Sequence, residues 1–226
     1  FERRKLSEPA SLFDKTTRGL LGKLLQDGEM DGKCGQTLLV HYPRGAKCER
    51  VLLVGCGKQT EFDSRAYSKV VSKAAQAANA SGATDAVSYL AELDVKGSDR
   101  ALNVRSQATL TQGTLYRPDS LKSKKDKDSA ARPLRRLAIN APKEQQDDAH
   151  TAVAQGEAIA AGVELARSLG DLPGNLCTPS HLAATARELG KTSQQLKVSV
   201  MDEAGMKKLG MGSLLSVSRG SVEPAK

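Results

Sequence analysis

The sequence predicts an α/β fold, because short apolar runs alternate along the chain with segments of helical periodicity. Three parts follow from this pattern. Residues 1–142 are predicted to form an α/β domain with a mixed sheet flanked by helices. Residues 143–170 are predicted to form a linker helix rich in small side chains. Residues 171–226 read as the beginning of a further α/β domain that is too short to bury a core of its own.

The first domain opens with a helix and two strands. Thr16 and Thr17 are predicted to cap a short helix that ends at Asp27, with an apolar face made of Leu20, Leu21, Leu24 and Leu25. Residues 37–42 and 50–54 are short apolar runs separated by a connection containing Pro43 and Gly45. Such a pair of runs is typical of a β-hairpin.

A strongly periodic helix follows these strands. It is predicted to begin at Asp63, with Thr60 and Asp63 approximating a capping box and Gly82 as its terminator. Its apolar positions are Tyr67, Val70, Val71, Ala74 and Ala78. Next come a predicted strand over residues 85–91, a helix over 98–116 and a strand over 136–140.

The helix that begins after Asp147 is apolar along two lines. The first line is Ala149, Ala152, Val153, Gly156, Ile159, Ala160 and Val163, and the second is Ala154, Ala158, Ala161, Leu165 and Leu169. A helix with two apolar faces is expected to be covered by protein on both. We therefore interpret this helix as a linker packed between two domains. The alternative is a helix at the centre of a single domain.

A junction follows this helix. The helix is expected to end near Gly170, since Pro173 cannot continue it, and a second helix is expected from Pro179 with Thr178 as its cap. Residues 179–189 form that helix, 196–201 a predicted strand, and 202–209 a helix opening at Asp202. These residues either dock on the first domain or belong to a domain that continues past Lys226, and we favour the second interpretation.

Composition and charge favour a cytoplasmic protein. No apolar run approaches the roughly 20 residues that span a bilayer, and the N-terminal residues lack the apolar stretch of a signal peptide. The four cysteines show no CxxC pairing and read as reduced thiols. They are Cys34, Cys48, Cys56 and Cys177.

One glycine-rich turn invites comparison with phosphate-binding loops. Gly55, Cys56, Gly57 and Lys58 follow a predicted strand and precede a helix, but Thr60 stands where the third glycine of GxGxxG would be. The spacing of a P-loop is also not met. The simpler interpretation is a tight turn that uses glycine for a positive φ.

No complete catalytic or metal site can be assembled from the sequence. His41, His150 and His181 are scattered without a ligand spacing, and Cys177 has no nearby histidine. The adjacent carboxylates Asp147 and Asp148 are expected to face different sides of a helix. We interpret them as acidic residues that stabilise the first turn of the helix, not as a catalytic dyad. We accordingly assign no catalytic residue and no metal ligand within residues 1–226.

The stretch from Arg117 to Arg136 is strongly basic. Eight basic and three acidic residues give it a net charge of +5, within a chain of net charge +8. We predict that this stretch is an exposed loop. Its lysines are candidate contacts for nucleic-acid phosphates: Lys122, Lys124, Lys125 and Lys127. The alternative is a charged loop that only keeps the protein in solution.

Two stretches resemble the cytosolic leucine aminopeptidase family with high specificity: residues 166–179, reading ARSLGDLPGNLCTP, and residues 202–224. Residues 35–58 and the pair Tyr116 and Arg117 are similar to its N-terminal domain. The resemblance implies a macro-domain-like N-terminal domain, a linker helix and the start of a peptidase domain, and thus the N-terminal portion of an enzyme that releases N-terminal amino acids from peptides.

The resemblance also carries expectations about cofactors and partners. The family uses two divalent metal ions (Mn or Zn), held by Lys, Asp and Glu side chains that all lie downstream of the equivalent of Lys226. It forms hexamers with the N-terminal domains at the periphery, and some bacterial members bind DNA. We therefore expect residues 1–226 to bind no metal and to be inactive alone. The rival hypothesis is a non-catalytic module that binds a nucleic acid or nucleotide through residues 117–136.

Overall fold

The structure is a computed structural model that describes residues 1–118, 121 and 134–226. Two compact units are present, Phe1–Glu164 and Leu165–Lys226. Helices and short strands alternate along the chain, so the predicted α/β class is confirmed. The described part contains no helix that is both long and apolar enough to cross a membrane.

The first two strands form the predicted hairpin. β1 (Thr37–His41) pairs antiparallel with β2 (Arg50–Val54), and the register joins Thr37 to Val54 and His41 to Arg50. The hydrogen bond from the Tyr42 amide to the Glu49 carbonyl, 2.6 Å, continues the ladder toward the turn. Apolar side chains in both runs favour pairing, and the short connection between them favours the antiparallel direction.

The other two strands are parallel. β3 (Asp85–Ser88) pairs with β4 (Arg136–Ile139), so that Asp85 lies beside Arg136 and Ser88 beside Ile139. A parallel pair needs a long crossover connection, and helix α4 (Arg100–Leu115) lies in that connection. The described strands therefore form two separate two-stranded sheets.

Four further helices begin in the first unit. They are α1 (Glu8–Thr16), α2 (Leu20–Gln26), α3 (Ser64–Ala80) and α5 (Gln146–Asp171). Helix α3 is capped by Asp63, whose carboxylate accepts a hydrogen bond from the Ala66 amide at 2.9 Å. The predicted start of α3 is therefore confirmed, but Thr60 lies in a short 3-10 turn and takes no part in a capping box.

The predicted capping of α2 by threonine is wrong. Thr17 donates its hydroxyl back to the Phe13 carbonyl, because α1 occupies the residues before it. Asp14 caps α2 instead, because its Oδ1 accepts hydrogen bonds from the amides of Leu21 at 2.7 Å and Gly22 at 3.1 Å. The cap of α2 is thus supplied by the preceding helix.

Two apolar clusters form the core of the first unit. The larger joins α3 to the chain before α4, through residues that include Phe62, Tyr67 and Val95. The smaller joins Val104 of α4 to Ala152 of α5. The Tyr67 hydroxyl donates to the Asn103 carbonyl at 3.1 Å, which links α3 to α4 inside the core.

Only part of one of the two predicted apolar lines of α5 is buried. Ala152, Gly156 and Ala160 are buried at a spacing of four residues. Ile159 and Val163 of the same line are exposed, and so are Ala154, Ala158 and Ala161 of the second line. The expectation that protein covers both faces is therefore not met by the described residues.

The second unit is helical. It contains α6 (Pro179–Lys191), α7 (Glu203–Lys208) and α8 (Gly212–Ser218). Asp202 caps α7 as predicted, accepting from the Gly205 amide at 2.8 Å. The predicted strand over residues 196–201 is wrong, because these residues have no strand partner in the described part of the chain and remain largely exposed.

Candidate functional sites

The junction stretch forms a compact turn between helices in the second unit. After α5 ends at Asp171, the amides of Leu176 and Cys177 both donate to the Pro173 carbonyl at 2.9 Å. Thr178 then caps α6, because its Oγ1 accepts from the His181 amide at 3.2 Å. Pro179 occupies the first turn, where its missing N–H costs nothing. The predicted break and restart of the helix are confirmed.

The glycine-rich turn is used for packing. The Gly55 amide donates to the Gln36 carbonyl at 2.7 Å, and the Gly57 amide donates to the Gly32 carbonyl at 2.8 Å. Gly57 has a φ of +76°. A side chain at Gly55 would collide with the Lys33 carbonyl. With both amides engaged, this turn offers neither of them to a phosphate, and the interpretation as a tight turn is supported.

Lys58, which would be the basic residue of a phosphate loop, has a carboxylate partner. Its Nζ lies 3.0 Å from Glu61 Oε1. This hydrogen bond, together with the negative charge of Glu61, raises the pKa of the Lys58 ammonium group. The lysine is fully exposed, so the pair is a surface feature of modest energy.

The histidines and acidic residues do not converge. His41 lies at the end of β1, His150 in the second turn of α5 and His181 in the first turn of α6. Asp147 and Asp148 lie in the first turn of α5. Across residues 1–118, 121 and 134–226, no group of three or more His, Cys, Asp or Glu side chains could hold a metal ion.

The four cysteines are free thiols in different environments. Cys48 is exposed, Cys34 and Cys177 are half-buried, and Cys56 is buried. Burial raises the pKa of the Cys56 thiol to about 11. A protonated, buried thiol is a poor nucleophile, so Cys56 is a packing residue rather than a reactive one.

The basic stretch falls largely outside the described residues. The candidate nucleic-acid contacts all lie outside the described residues: Lys122, Lys124, Lys125 and Lys127. On its flanks, Arg117 and Arg135 are exposed, and Arg136 is ion-paired with Asp85 at 2.7 Å.

Sequence reasoning missed a buried polar stripe on α4. Asn103, Gln107 and Thr111 are all buried, and their spacing of four residues places them on one face. The Asn103 amide donates to the carbonyls of Ala91 and Leu93. The Gln107 amide donates to Ser88 Oγ at 2.5 Å, while its Oε1 has no partner. That spacing was visible in the sequence, but polar residues are normally assigned to the exposed side of a helix.

Family comparison identifies the two units. Residues 1–125 match the N-terminal domain of the cytosol aminopeptidase family, and residues 164–226 match the catalytic domain of the same family. The chain belongs to the cytosol aminopeptidase family. The resemblance drawn from residues 166–179 and 202–224 is thereby confirmed.

Curated relatives agree with this assignment. A probable cytosol aminopeptidase of Thioalkalivibrio sulfidiphilus is 47% identical over 227 residues, which is 100% of this chain and 45% of the relative. One from Alkalilimnicola ehrlichii is 46% identical, over 99% of this chain and 45% of the relative. The chain thus spans somewhat less than half the length of these relatives.

Solved structures share the fold. A tomato leucine aminopeptidase mutant superposes with a TM-score of 0.76 at 26% identity, over 99% of this chain and 43% of that one. The bottromycin maturation enzyme BotP gives a TM-score of 0.73 at 28% identity, over 88% of this chain and 40% of that one. BotP has also been solved in complex with Mn.

Proposed function

We propose that this chain is the N-terminal portion of a leucyl aminopeptidase that releases N-terminal amino acids from peptides by two-metal hydrolysis. The observation that carries the proposal is the match of residues 164–226 to the catalytic domain of the cytosol aminopeptidase family. The curated relatives are named as probable cytosol aminopeptidases, which supports aminopeptidase activity.

The metal centre of this enzyme would be built from residues beyond Lys226. Two divalent ions, Mn or Zn, would polarise the scissile carbonyl and activate water when bound. Among the described residues, no three His, Cys, Asp or Glu side chains lie together as a metal-binding group. That residues 1–226 bind no metal pair and are inactive alone is part of the proposal.

The remaining properties belong to the longer protein. We propose a cytoplasmic location, in keeping with the names of the relatives, and assembly into a homo-hexamer. The division into a macro-like domain over residues 1–142, a linker helix over 143–170 and the start of the peptidase domain from residue 171 is retained as a proposal. Helix α5 (Gln146–Asp171) covers most of the second of these segments.

The decisive experiment compares two proteins. The 226-residue chain and a product extended to the full length of the relatives are each assayed for hydrolysis of leucine p-nitroanilide with Mn²⁺ or Zn²⁺. Turnover by the longer product alone is expected. Metal-dependent turnover by the 226-residue chain would overturn the proposed placement of the site, and inactivity of the longer product would overturn the enzyme assignment.

A second activity is DNA binding through the basic stretch. Its support is the net charge of +5 between Arg117 and Arg136, together with the exposure of the flanking Arg117 and Arg135. Lysine and arginine side chains that neutralise phosphates give binding that weakens as salt rises. A variant without the lysines of this stretch should therefore bind DNA with a weaker dependence on salt.

A further inference from the structure

Two of the four cysteines share one part of the core of the first unit. Cys56 belongs to the larger apolar cluster, and Cys34 packs against that same cluster. Cys56 is 6% exposed, whereas Cys34 is half-buried. The other two thiols lie elsewhere, because Cys48 is exposed and Cys177 belongs to the second unit. A thiol that solvent reaches therefore stands beside one that it does not.

The backbone ties the segment that carries Cys34 to the segment that carries Cys56. Each cysteine lies between two residues that are hydrogen-bonded to the other segment, and a β-carbon built on Gly57 would stand 3.1 Å from the Cys34 β-carbon. Opposed residues of segments bonded in this way have α-carbons about 4.5–5.5 Å apart, within the range of about 4.4–6.8 Å that a disulfide spans. The two bonds, each 2.8 Å, run from the Gly35 amide to the Gly55 carbonyl and from the Gly57 amide to the Gly32 carbonyl.

Cys34 is the thiol of this pair that a reagent in solution meets first. Its Sγ donates to the Ala66 carbonyl of α3 at 3.8 Å. Two lysine side chains of α3 extend beside the neighbouring Gly35, since atoms of Lys69 and Lys73 lie 3.3 and 3.2 Å from a β-carbon built on that glycine. Redox-sensitive cysteines are typically accessible and close to positive charge, and Cys34 has both properties.

We propose that Cys34 and Cys56 form a reversible disulfide when the protein meets hydrogen peroxide. The Cys34 sulfur attacks one peroxide oxygen, the O–O bond breaks, and the products are the sulfenic acid of Cys34 and water. The Cys56 sulfur then attacks the sulfenyl sulfur, so that an S–S bond forms and the S–O bond breaks. The proton of the Cys56 thiol leaves with the hydroxyl group as a second water, and the thiol pair has given two electrons to the peroxide.

The burial of Cys56 is compatible with this second step. Burial is the main reason that the pKa of the Cys56 thiol rises to about 11, and the charge of Cys34 adds to it. Such a thiol reacts slowly with reagents that must diffuse to it. The sulfenyl sulfur of Cys34, in contrast, is held next to Cys56 by the fold, and a group held in place has a far higher effective concentration than a free reagent.

The disulfide would protect Cys34 from permanent damage. A sulfenic acid that finds no thiol is oxidised further to sulfinic acid, which thiol reductants do not reverse. Condensation with Cys56 stops the oxidation at a stage that a dithiol reductant restores. The device belongs to the first unit and does not rest on the proposed peptidase function.

Tryptic mapping of the longer protein tests the proposal, because trypsin places the relevant thiols in separate peptides. Cys34 falls in residues 34–44, Cys48 in 48–50 and Cys56 in 51–58. After treatment with hydrogen peroxide and blocking of the remaining thiols, a cross-linked pair of peptides 34–44 and 51–58 should appear, and a dithiol reductant should release it. Cys48 is the matched control, since it lies between the two in sequence and is exposed.

Substitutions separate the two roles. In Cys56→Ala, dimedone should trap the sulfenic acid of Cys34, and longer exposure should yield the sulfinic acid. In Cys34→Ser, Cys56 should stay reduced under the same treatment. The mapping of the unsubstituted protein stands by itself if either variant fails to fold.

Three results of the mapping would overturn the proposal. The first is the absence of the cross-link between residues 34–44 and 51–58 in the oxidised folded protein. The second is a cross-link from Cys34 or Cys56 to Cys48 in equal yield, which would mean that exposure or sequence distance decides the pairing. The third is the same yield in urea, where the fold no longer holds the thiols together. Since no readout uses peptidase activity, failure of the enzyme assignment would be recognised separately.

Discussion

Gly156 of α5 lies directly against the backbone of Arg105 in α4. A β-carbon built on Gly156 would stand 2.6 Å from the Arg105 carbonyl oxygen and 2.7 Å from the Ala108 β-carbon. The Thr109 hydroxyl bridges the two helices, donating at 3.0 Å to the carbonyls of both Arg105 and Gly156. The small residue at this position sets how closely α4 and α5 approach.

Gly156→Ala is therefore expected to destabilise the protein. The added methyl group has no space, and overpacking of this kind costs about 1–3 kcal/mol in the free energy of unfolding. Gly162→Ala is the matched control, since it lies in the same helix with nothing within 4 Å of its β-carbon. The control should gain about 0.5–1 kcal/mol in urea unfolding. Equal effects of the two substitutions would contradict the close approach.

Asp14→Ala should weaken the start of α2. The substitution leaves the amides of Leu21 and Gly22 without their acceptor, and loss of a helix cap costs about 0.5–2 kcal/mol. Asp27→Ala, at an exposed position after the same helix, should change the unfolding free energy far less. Thermal unfolding followed by circular dichroism distinguishes them, and identical midpoints would argue against the cap.

Burial of Cys56 predicts a loss of stability at alkaline pH. Its folded pKa of about 11 lies above the ordinary value of 9.0, so folding favours the protonated thiol. The resulting stability is fully present below pH 9 and declines as pH rises toward 11, because the unfolded chain loses its proton first. Burial raises the pKa of Tyr67 as well and acts in the same direction. Urea midpoints from about pH 8 to about pH 11 measure the effect, and Cys56→Ala should flatten the decline.

The same thiols should differ in reactivity. In the folded protein at about pH 8, Cys48 should react with iodoacetamide well before Cys56, since it is exposed and Cys56 is buried and protonated. Peptide mass mapping over time gives the order of labelling. In urea the two rates should converge. Early labelling of Cys56 in the folded state would contradict its burial.

Replacing Lys122, Lys124, Lys125 and Lys127 with Ala tests the proposed DNA binding. If these lysines neutralise phosphates, the slope of log K against log salt should flatten by roughly 0.9 for each lysine–phosphate pair removed. A variant with alanine at Lys191, Lys207 and Lys208 removes charge elsewhere, in α6 and α7, and should leave the slope unchanged. If the slope is unaltered in the variant that lacks Lys122, Lys124, Lys125 and Lys127, these lysines do not bind DNA phosphates and the proposed DNA binding is contradicted.

Local signals predicted most of the helices. Asp63, Thr178 and Asp202 each combine a capping side chain with a periodic apolar segment, and each begins a helix as expected. The predicted cap at Thr17 failed because the competing acceptor, Asp14, lies seven residues before Leu21 and acts across a turn. A cap supplied by the preceding helix has no fixed sequence spacing, so the pattern of residues could not reveal it.

The sequence predicted strands correctly where another strand pairs with them in the structure. Residues 37–41 and 50–54 were found correctly because the partner is the next run along the chain. Residues 196–201 have the alternation of a strand, but no described strand pairs with them, since pairing depends on residues distant in sequence. The buried stripe of α4 could not be predicted either, because Gln107 finds its partner in Ser88, 19 residues earlier.

The pairing of β4 has a consequence for the connection that leads to this strand. The strand is held at both ends by Thr84 and Ser88, and the Leu134 amide just before it donates to Asn79 Oδ1 at 3.0 Å. These anchors fix the strand independently of how many residues lead to it. Doubling the length of a connection costs only about 0.6 kcal/mol of closure entropy. A longer or shorter connection between α4 and β4 should therefore cost little stability while the sheet stays in register.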